Sequence, residues 1–208
     1  STSPYALCPA QSINYVSSHD DLCLVDKLIV SLPENTSESD LLRYDKLAQT
    51  IIFTSQGIPF MFNGEEVFRS KKLVHNSFES PDSINRINWM NKSVYYDLFD
   101  YYKKLIALRK NHAAFRMVAA SDIQSNLHFA EHLPENVIAY RLDGKAAGDV
   151  WSEIFVAFNG SNSSREISIP EGNWTIVCLD GKIDESGITS VSGNKMNLPR
   201  SSAVILKR

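Results

Sequence analysis

No apolar run in the 208 residues approaches the length that a bilayer-crossing helix requires, so the sequence offers no helical membrane span. Cysteine is scarce. Cys8, Cys23 and Cys178 are odd in number and stand at none of the spacings that hold zinc, which points to free, buried thiols rather than a disulfide framework or a metal centre. A basic excess is missing too: 21 Lys and Arg face 24 Asp and Glu, for a net charge of −3, and the pairs Lys71-Lys72 and Lys103-Lys104 are short. Nucleic acid needs a positive footprint for its phosphates, so that class of partner is set aside. The N-terminus lacks the charged-then-apolar pattern of a secretory leader. Internal repeats, low-complexity stretches and cofactor-binding motifs are absent as well. What remains is an ordinary globular composition, 43% hydrophobic and 10% aromatic, in a chain long enough for one large domain or two small ones.

The pattern changes near residue 112. Before it, Ile13 to Ser17 reads as a buried strand. From Asp40 to Phe53 the apolar residues Leu41, Tyr44, Leu47, Ala48, Ile51 and Ile52 recur at three- and four-residue spacing, one face of a helix. Ser37 with Asp40 three residues on is a capping signal for its start. Gly57 ends that helix, and Ile58 to Phe62 reads as a second short strand. A further helix is expected from Val94 to Lys110, with Val94, Leu98, Tyr101, Leu105 and Leu108 inward. Its early acids, Asp97 and Asp100, and late bases, Arg109 and Lys110, suit the helix dipole. This is the order of a parallel sheet covered by helices. After residue 112, Val137–Leu142, Ile154–Phe158, Ile167–Ile169, Trp174–Leu179 and Ala203–Leu206 alternate with period two. Asp143-Gly144, Asn159-Gly160, Glu171-Gly172, Asp180-Gly181 and Gly193-Asn194 serve as turn signals between strands. That half reads as a small antiparallel β-sandwich.

Two segments carry candidate chemistry. The first strand runs into Ser17-Ser18-His19-Asp20-Asp21. Carboxylates accept hydrogen bonds from sugar hydroxyls and an imidazole adds a donor, although a short acidic cluster after a strand also serves as an ordinary loop or cap. The second strand runs into Asn63-Gly64-Glu65-Glu66 and a polar stretch up to Trp89 that contains Arg69, Lys71, Lys72, His75, Asn76, Asp82, Asn85 and Arg86. A connection of that length is functional or a surface excursion, and Phe78 and Trp89 argue that it is ordered. Trp151 and Trp174, in the second half, read as core or interface residues rather than sugar-stacking ones.

Together the two segments resemble a known family. INYVSSHDDLCLVDKL, Ile13 to Leu28, is similar to the seventh-strand motif of the α-amylase family of glycoside hydrolases, written "NYV..HDN..L.DKL" in type I pullulanases. QGIPFMFNGEEVFRSKKLVHNSFESPDSINRINW, Gln56 to Trp89, is similar to the segment after their eighth strand, with its "QGIPF" strand, "G.E" pair, "R.K" pair and "NS(Y/F).S.D..N...W" string. The resemblance implies an α/β plus all-β chain. Residues 1–112 would be the last two βα units of a (β/α)8 TIM barrel, and 113–208 the all-β domain that follows it. It implies an α-glucan polysaccharide or oligosaccharide as partner and cleavage of α-1,6 branch linkages with retention. Relatives of other linkage specificity (isoamylase, α-amylase, branching enzyme) and a non-catalytic carbohydrate-binding module are the alternatives.

By the same resemblance Asp20 is the third active-site carboxylate, stabilising the oxocarbenium-like transition state. His19 binds the same sugar ring, and Asn76, Asp82 and Asn85 line the cleft. The family has Asn where this chain has Asp21, which is left out of the site. A retaining glycosidase also needs a nucleophile and a general acid. The family carries them after its fourth and fifth strands, the first in a "GFR.D" string, and nothing here matches: Arg43-Tyr44-Asp45 falls within a helical pattern. The chain is therefore expected to be a piece of a longer enzyme, inactive alone, whose truncated barrel leaves an apolar surface that favours self-association.

Overall fold

The computed structural model describes residues 6–208. The first half holds the strand β1 (Ile13–Asn14), the helices α1 (Leu24–Ser31) and α2 (Glu38–Thr54), and the strand β2 (Ile58–Pro59). Two short helical turns, α3 (Asp82–Asn85) and α4 (Asn91–Val94), precede the long helix α5 (Tyr96–Asn111). A last short helix, α6 (Ala120–Asn126), leads into seven strands: β3 (Leu127–Phe129), β4 (Val137–Asp143), β5 (Glu153–Asn159), β6 (Arg165–Leu179), β7 (Lys182–Ile183), β8 (Thr189–Leu198) and β9 (Ser202–Lys207).

The helices follow the sequence pattern closely. Ser37 caps α2 by accepting from the Asp40 backbone N–H at 3.1 Å. Leu98, Tyr101, Leu105 and Leu108 are buried on α5. Val94 is not: it is 71% exposed, because α4 ends there and the chain bends at Tyr95 before α5 begins. Helix α1, with its short apolar run, was not expected as a helix.

β1 and β2 pair in parallel, Ile13 with Ile58 and Asn14 with Pro59, joined by the α1–α2 crossover that parallel strands require. The expectation of a buried strand at 13–17 fails. Ile13 is 59% exposed, and Tyr15, Ile58 and Phe60 are exposed beside it, because among the described residues only two strands are paired there and no element covers these side chains.

The second half is one antiparallel sheet in the order β3-β4-β5-β9-β6-β7, with β8 paired to β6. The 15-residue β6 replaces two of the expected strands. It pairs with β8 from Arg165 to Ile176 and with β9 from Thr175 to Cys178, with one register shift inside the first ladder, between Ser168 and Gly172, and one inside the second, between Ile176 and Cys178. Glu171-Gly172 and Gly193-Asn194, read above as turns, lie inside this ladder: Gly172 and Gly193 face each other with φ of 136° and 101°. Positive-φ glycine serves a bulge as readily as a turn.

β5 and β9 are buried on both faces. Ile154, Val156, Phe158, Ala203 and Ile205 pack in one core with Leu47, Phe53, Tyr101, Leu105 and Leu108 of the helices. Phe155, Ala157, Val204 and Leu206 pack in a second core with Ile167, Trp174, Met196 and Leu198. The helical part and the β part thus share a core. Trp174 is fully buried, and Trp151 stacks on His112 with ring centroids 3.4 Å apart, so both tryptophans are internal.

Two polar devices fix the helices. Arg109, near the end of α5, donates to the carbonyls of Phe53 (2.8 Å), Ser55 (2.7 Å) and Gly57 (2.6 Å), closing the C-terminus of α2 and aiming the turn into β2. Burial and the neighbouring Arg116 lower its pKa to about 10, which leaves it charged at neutral pH. Between α2 and α5, Tyr102 donates to Asp45 at 2.7 Å with both side chains buried. Burial pushes the Asp45 carboxyl up to about 8.

Two outcomes follow. Replacing Arg109 by Met leaves the buried Phe53 carbonyl and the half-buried Ser55 and Gly57 carbonyls without a donor and should lower the unfolding free energy by about 2 kcal/mol in urea titrations. Asp45 has an ordinary pKa of 3.8 when unfolded and about 8 when folded. Its contribution is complete below the first value and is lost as pH rises through the second. The melting temperature should fall between pH 4 and 8. Asp45→Asn, which keeps an acceptor for Tyr102, should flatten that slope in calorimetry; an unchanged slope would assign it to other groups.

Candidate functional site

Both parallel strands run toward the same end of the pair, so the chain leaving β1 and the chain leaving β2 meet there. A buried carboxylate from each segment reaches across to the other. Glu65, after β2, accepts a hydrogen bond from Ser17 Oγ, after β1, and another from Gln49 Nε2 of α2 at 2.9 Å. Asp26, in α1, accepts from Ser70 Oγ at 2.6 Å and from the Lys71 backbone N–H at 2.7 Å. Ser17, Gln49 and Asp26 are fully buried and Glu65 almost so. Burial pushes the Glu65 carboxyl up to about 7, although the hydrogen bonds from Ser17 and Gln49 favour its charged form.

The Lys71 ammonium adds a third tie. It donates to Ser77 Oγ at 2.8 Å and to the His19 carbonyl at 3.4 Å, and lies 5.4 Å from the centre of the Phe62 ring. Lys27 of α1 holds the Val16 carbonyl at 2.8 Å. The backbone of residues 16–19 is thus gripped from below, while the side chains of His19 and Asp20 project into solvent.

His19 and Asp20 are both strongly exposed, with His19 Nε2 3.3 Å from Asp20 Oδ2. Asp21 takes a left-handed φ of 60°, a conformation that Asn and Asp enter more readily than other side chains. Its carboxylate meets His75 Nδ1 of the second segment at 3.1 Å. Each of the adjacent acids therefore has its own imidazole, and Asp21 serves as a link between the segments.

The residues expected to line a cleft divide. Asn76 is exposed between His75, which meets Asp21, and Ser77, which meets Lys71, so the structure sets it beside the His19–Asp21 turn. Asp82 is exposed at the start of α3, and its carboxylate has no hydrogen-bond partner among the described residues. Asn85 is half-buried, and its amide nitrogen donates to the Ser77 and Ser80 carbonyls at 2.6 and 2.9 Å, so it shapes the loop that carries Asn76. Arg69 spans the Asn63 and Asn85 carbonyls, at 2.9 and 2.5 Å. The loop is ordered by these polar ties. Phe78 and Trp89, expected to order it, are 76% and 58% exposed and offer flat apolar faces to solvent.

Glu65, Asp26, Gln49 and Lys71 are the residues that sequence reasoning assigned no role at the site. Glu65 and Asp26 stand within the two quoted motifs, but nothing in their spacing tells a buried acceptor from an exposed acid. Among the described residues no cluster of three or more His, Cys, Asp or Glu is arranged to hold a metal ion.

Residues 123–182 match the model of the pullulanase all-beta domain. The pullulanase of Bacillus subtilis is 41% identical over 162 residues, 78% of this chain and 22% of that protein. The solved pullulanase of Bacillus acidopullulyticus superposes with a TM-score of 0.93 at 40% identity, over 97% of this chain and 25% of that one. The B. subtilis type I pullulanase solved with maltose superposes with a TM-score of 0.90 at 36% identity, over 97% of this chain and 28% of that one. The chain thus spans about a quarter of the length of the relatives it matches. It belongs to the type I pullulanases, glycoside hydrolases of the α-amylase family, and corresponds to their C-terminal part.

Proposed function

We propose that the chain works as the C-terminal part of a retaining α-1,6-glucan hydrolase, in which residues 1–112 complete a (β/α)8 barrel and residues 113–208 form the β domain behind it. The observation that carries this reading is the meeting of the two motif segments at one end of a parallel strand pair, locked by Glu65 and Asp26. In a barrel, working side chains come from the C-terminal ends of strands and the loops after them. The exposed apolar side chains of Ile13 and Ile58 suit strands whose remaining neighbours lie elsewhere in the enzyme. A relative solved with maltose supports an α-glucan as the ligand.

In this reading Asp20 faces the sugar being cleaved. A carboxylate held there stabilises the positive charge that develops at the anomeric centre and accepts hydrogen bonds from ring hydroxyls more strongly in the transition state than in the ground state. His19 orients Asp20 and donates to the same ring. Asn76 and Asp82 meet hydroxyls of the neighbouring sugar, and Asn85 holds the loop in shape. The nucleophile and general acid come from barrel units that this sequence does not contain.

The 208-residue chain alone should then release no reducing sugar from pullulan. Release that disappears with Asp20→Ala would show that the chain carries a complete catalytic set, against this reading. Within the complete enzyme, Asp20→Ala should lower kcat at least a hundredfold with little change in KM. A change confined to KM would make Asp20 a ground-state contact. Asn76→Ala and Asp82→Ala should each weaken binding of branched oligosaccharide by about 1–3 kcal/mol, read by calorimetry. Unchanged binding would remove the loop from the cleft.

A further inference from the structure

Away from the strand ends, the seam between the helices and the β domain opens into a cleft of about 490 Å3 that adjoins a second of about 570 Å3. The two share Lys46 of α2, Asp97 and Tyr101 of α5, and the Asp180-Gly181 turn between β6 and β7, so they form one groove. The turn is built close to the helix. Gly181, at φ 72°, leaves so little room that a Cβ there would stand 3.1 Å from Lys46 Cδ, and its carbonyl accepts from Lys46 Nζ at 3.1 Å. Arg43 pairs with Asp180 at 2.5 Å and donates to the Arg200 carbonyl at 2.9 Å, bracing the opposite wall.

The charges of the groove cancel. Arg43, Lys46, Lys104 and Lys182 are matched by four aspartates. A groove without net charge neither attracts nor retains a phosphate or another strongly charged ligand. Several of these groups are already engaged, Arg43 with Asp180 and Lys104 with Asp100 at 2.7 Å. The Asp97 carboxylate makes no side-chain hydrogen bond or close ion pair among the described residues, although its charge acts on Lys46 across the groove, and the Lys46 ammonium keeps donors beyond the one given to Gly181. At the first turn of α5 the ring of Tyr96 is 57% exposed on the groove wall. A flat aromatic face, a free acceptor and a free donor in a neutral channel is the recognition set for a neutral polyhydroxylated chain. The volume suits roughly two to three sugar units.

We propose that this groove is a second, non-catalytic α-glucan site, in which Tyr96 stacks on a glucose ring while Asp97 and Lys46 bind its hydroxyls. The choice of an α-glucan rests on the functional reading above. The site itself is formed by elements other than those that carry His19, Asp20 and Asn76. A chain bound there would be retained on the polymer while another segment is cleaved, raising its effective concentration at the active site.

The test is a 1H–15N NMR titration of the 208-residue protein with maltotetraose, cellotetraose and inorganic phosphate. Maltotetraose should shift the amides of Lys46, Tyr96, Asp97 and Gly181 along one saturating curve. Tyr96→Ala and Asp97→Asn, both at exposed positions, should each weaken that curve at least tenfold, and Asp20→Ala should leave it unchanged. A groove silent to maltotetraose, or responding as strongly to phosphate or cellotetraose, overturns the proposal. Shifts confined to His19, Asp20 and Asn76 overturn it too while supporting the active-site reading. Shifts confined to the groove support the groove, and they are compatible with an active site that binds glucan only when the remaining barrel units complete it.

Discussion

Two buried carboxylates, Glu65 and Asp26, set the geometry at the strand ends. Each belongs to one of the two segments and accepts at least one hydrogen bond from the other, with Gln49 of α2 adding one to Glu65, so each segment is held in part by its partner. An ionised or half-ionised carboxylate out of water is costly unless its oxygens are satisfied. Here that cost becomes specificity: Ser17, Ser70, Gln49 and the Lys71 N–H must all be in place, and they fix the backbone from which His19 and Asp20 project. The side chains of His19 and Asp20 are exposed above while the buried ones below do the positioning.

That arrangement needs a rigid base, which the helices and the sheet supply jointly. β5 and β9 are apolar on both faces, and one face is shared with α2 and α5. Burying a side chain such as Leu105 there contributes about 2 kcal/mol. Polar ties then orient what the core holds together. Arg109 closes the end of α2 and the start of β2. Asp149 accepts from the backbone N–H groups of Ala114 and Trp151 and pairs with His112 at 2.8 Å at the junction. Burial opposes the charge on Asp149, but these hydrogen bonds outweigh it and hold the carboxyl below its usual range. The same seam that joins the two parts also leaves the neutral groove beside Lys46 and Tyr96, since a hairpin packed against two helices cannot fill the angle between them.

Much of this was legible in the sequence because it depends on local periodicity. The three- and four-residue spacing of α2 and α5 and the period-two strands after residue 112 report which face of each element is apolar, and the structure places those faces in the cores. The motif at Ile13–Leu28 and the one at Gln56–Trp89 were readable as strings, and their family followed from them. Where the reading failed, the cause was non-local. Val94 has a helical spacing, yet the chain bends at Tyr95 and leaves it outside. Glu171-Gly172 and Gly193-Asn194 carry turn residues, but they face each other across one long ladder, where the same positive φ makes a bulge.

The sequence by itself determined the two long helices, most of the core strand segments, the family and the candidates Asp20, His19, Asn76, Asp82 and Asn85, because side-chain type and spacing are written along the chain. Only the tertiary structure decided which polar groups are buried and which face solvent. It turned Asn85 toward its own loop, left Phe78 and Trp89 exposed, and gave Asp20 and Asp21 separate imidazoles. It also placed Glu65 and Asp26 at 2% exposure or less between segments more than 40 residues apart. The physical reason is that a carboxylate's role depends on its distance from water and from donors, and both are fixed by residues remote in sequence.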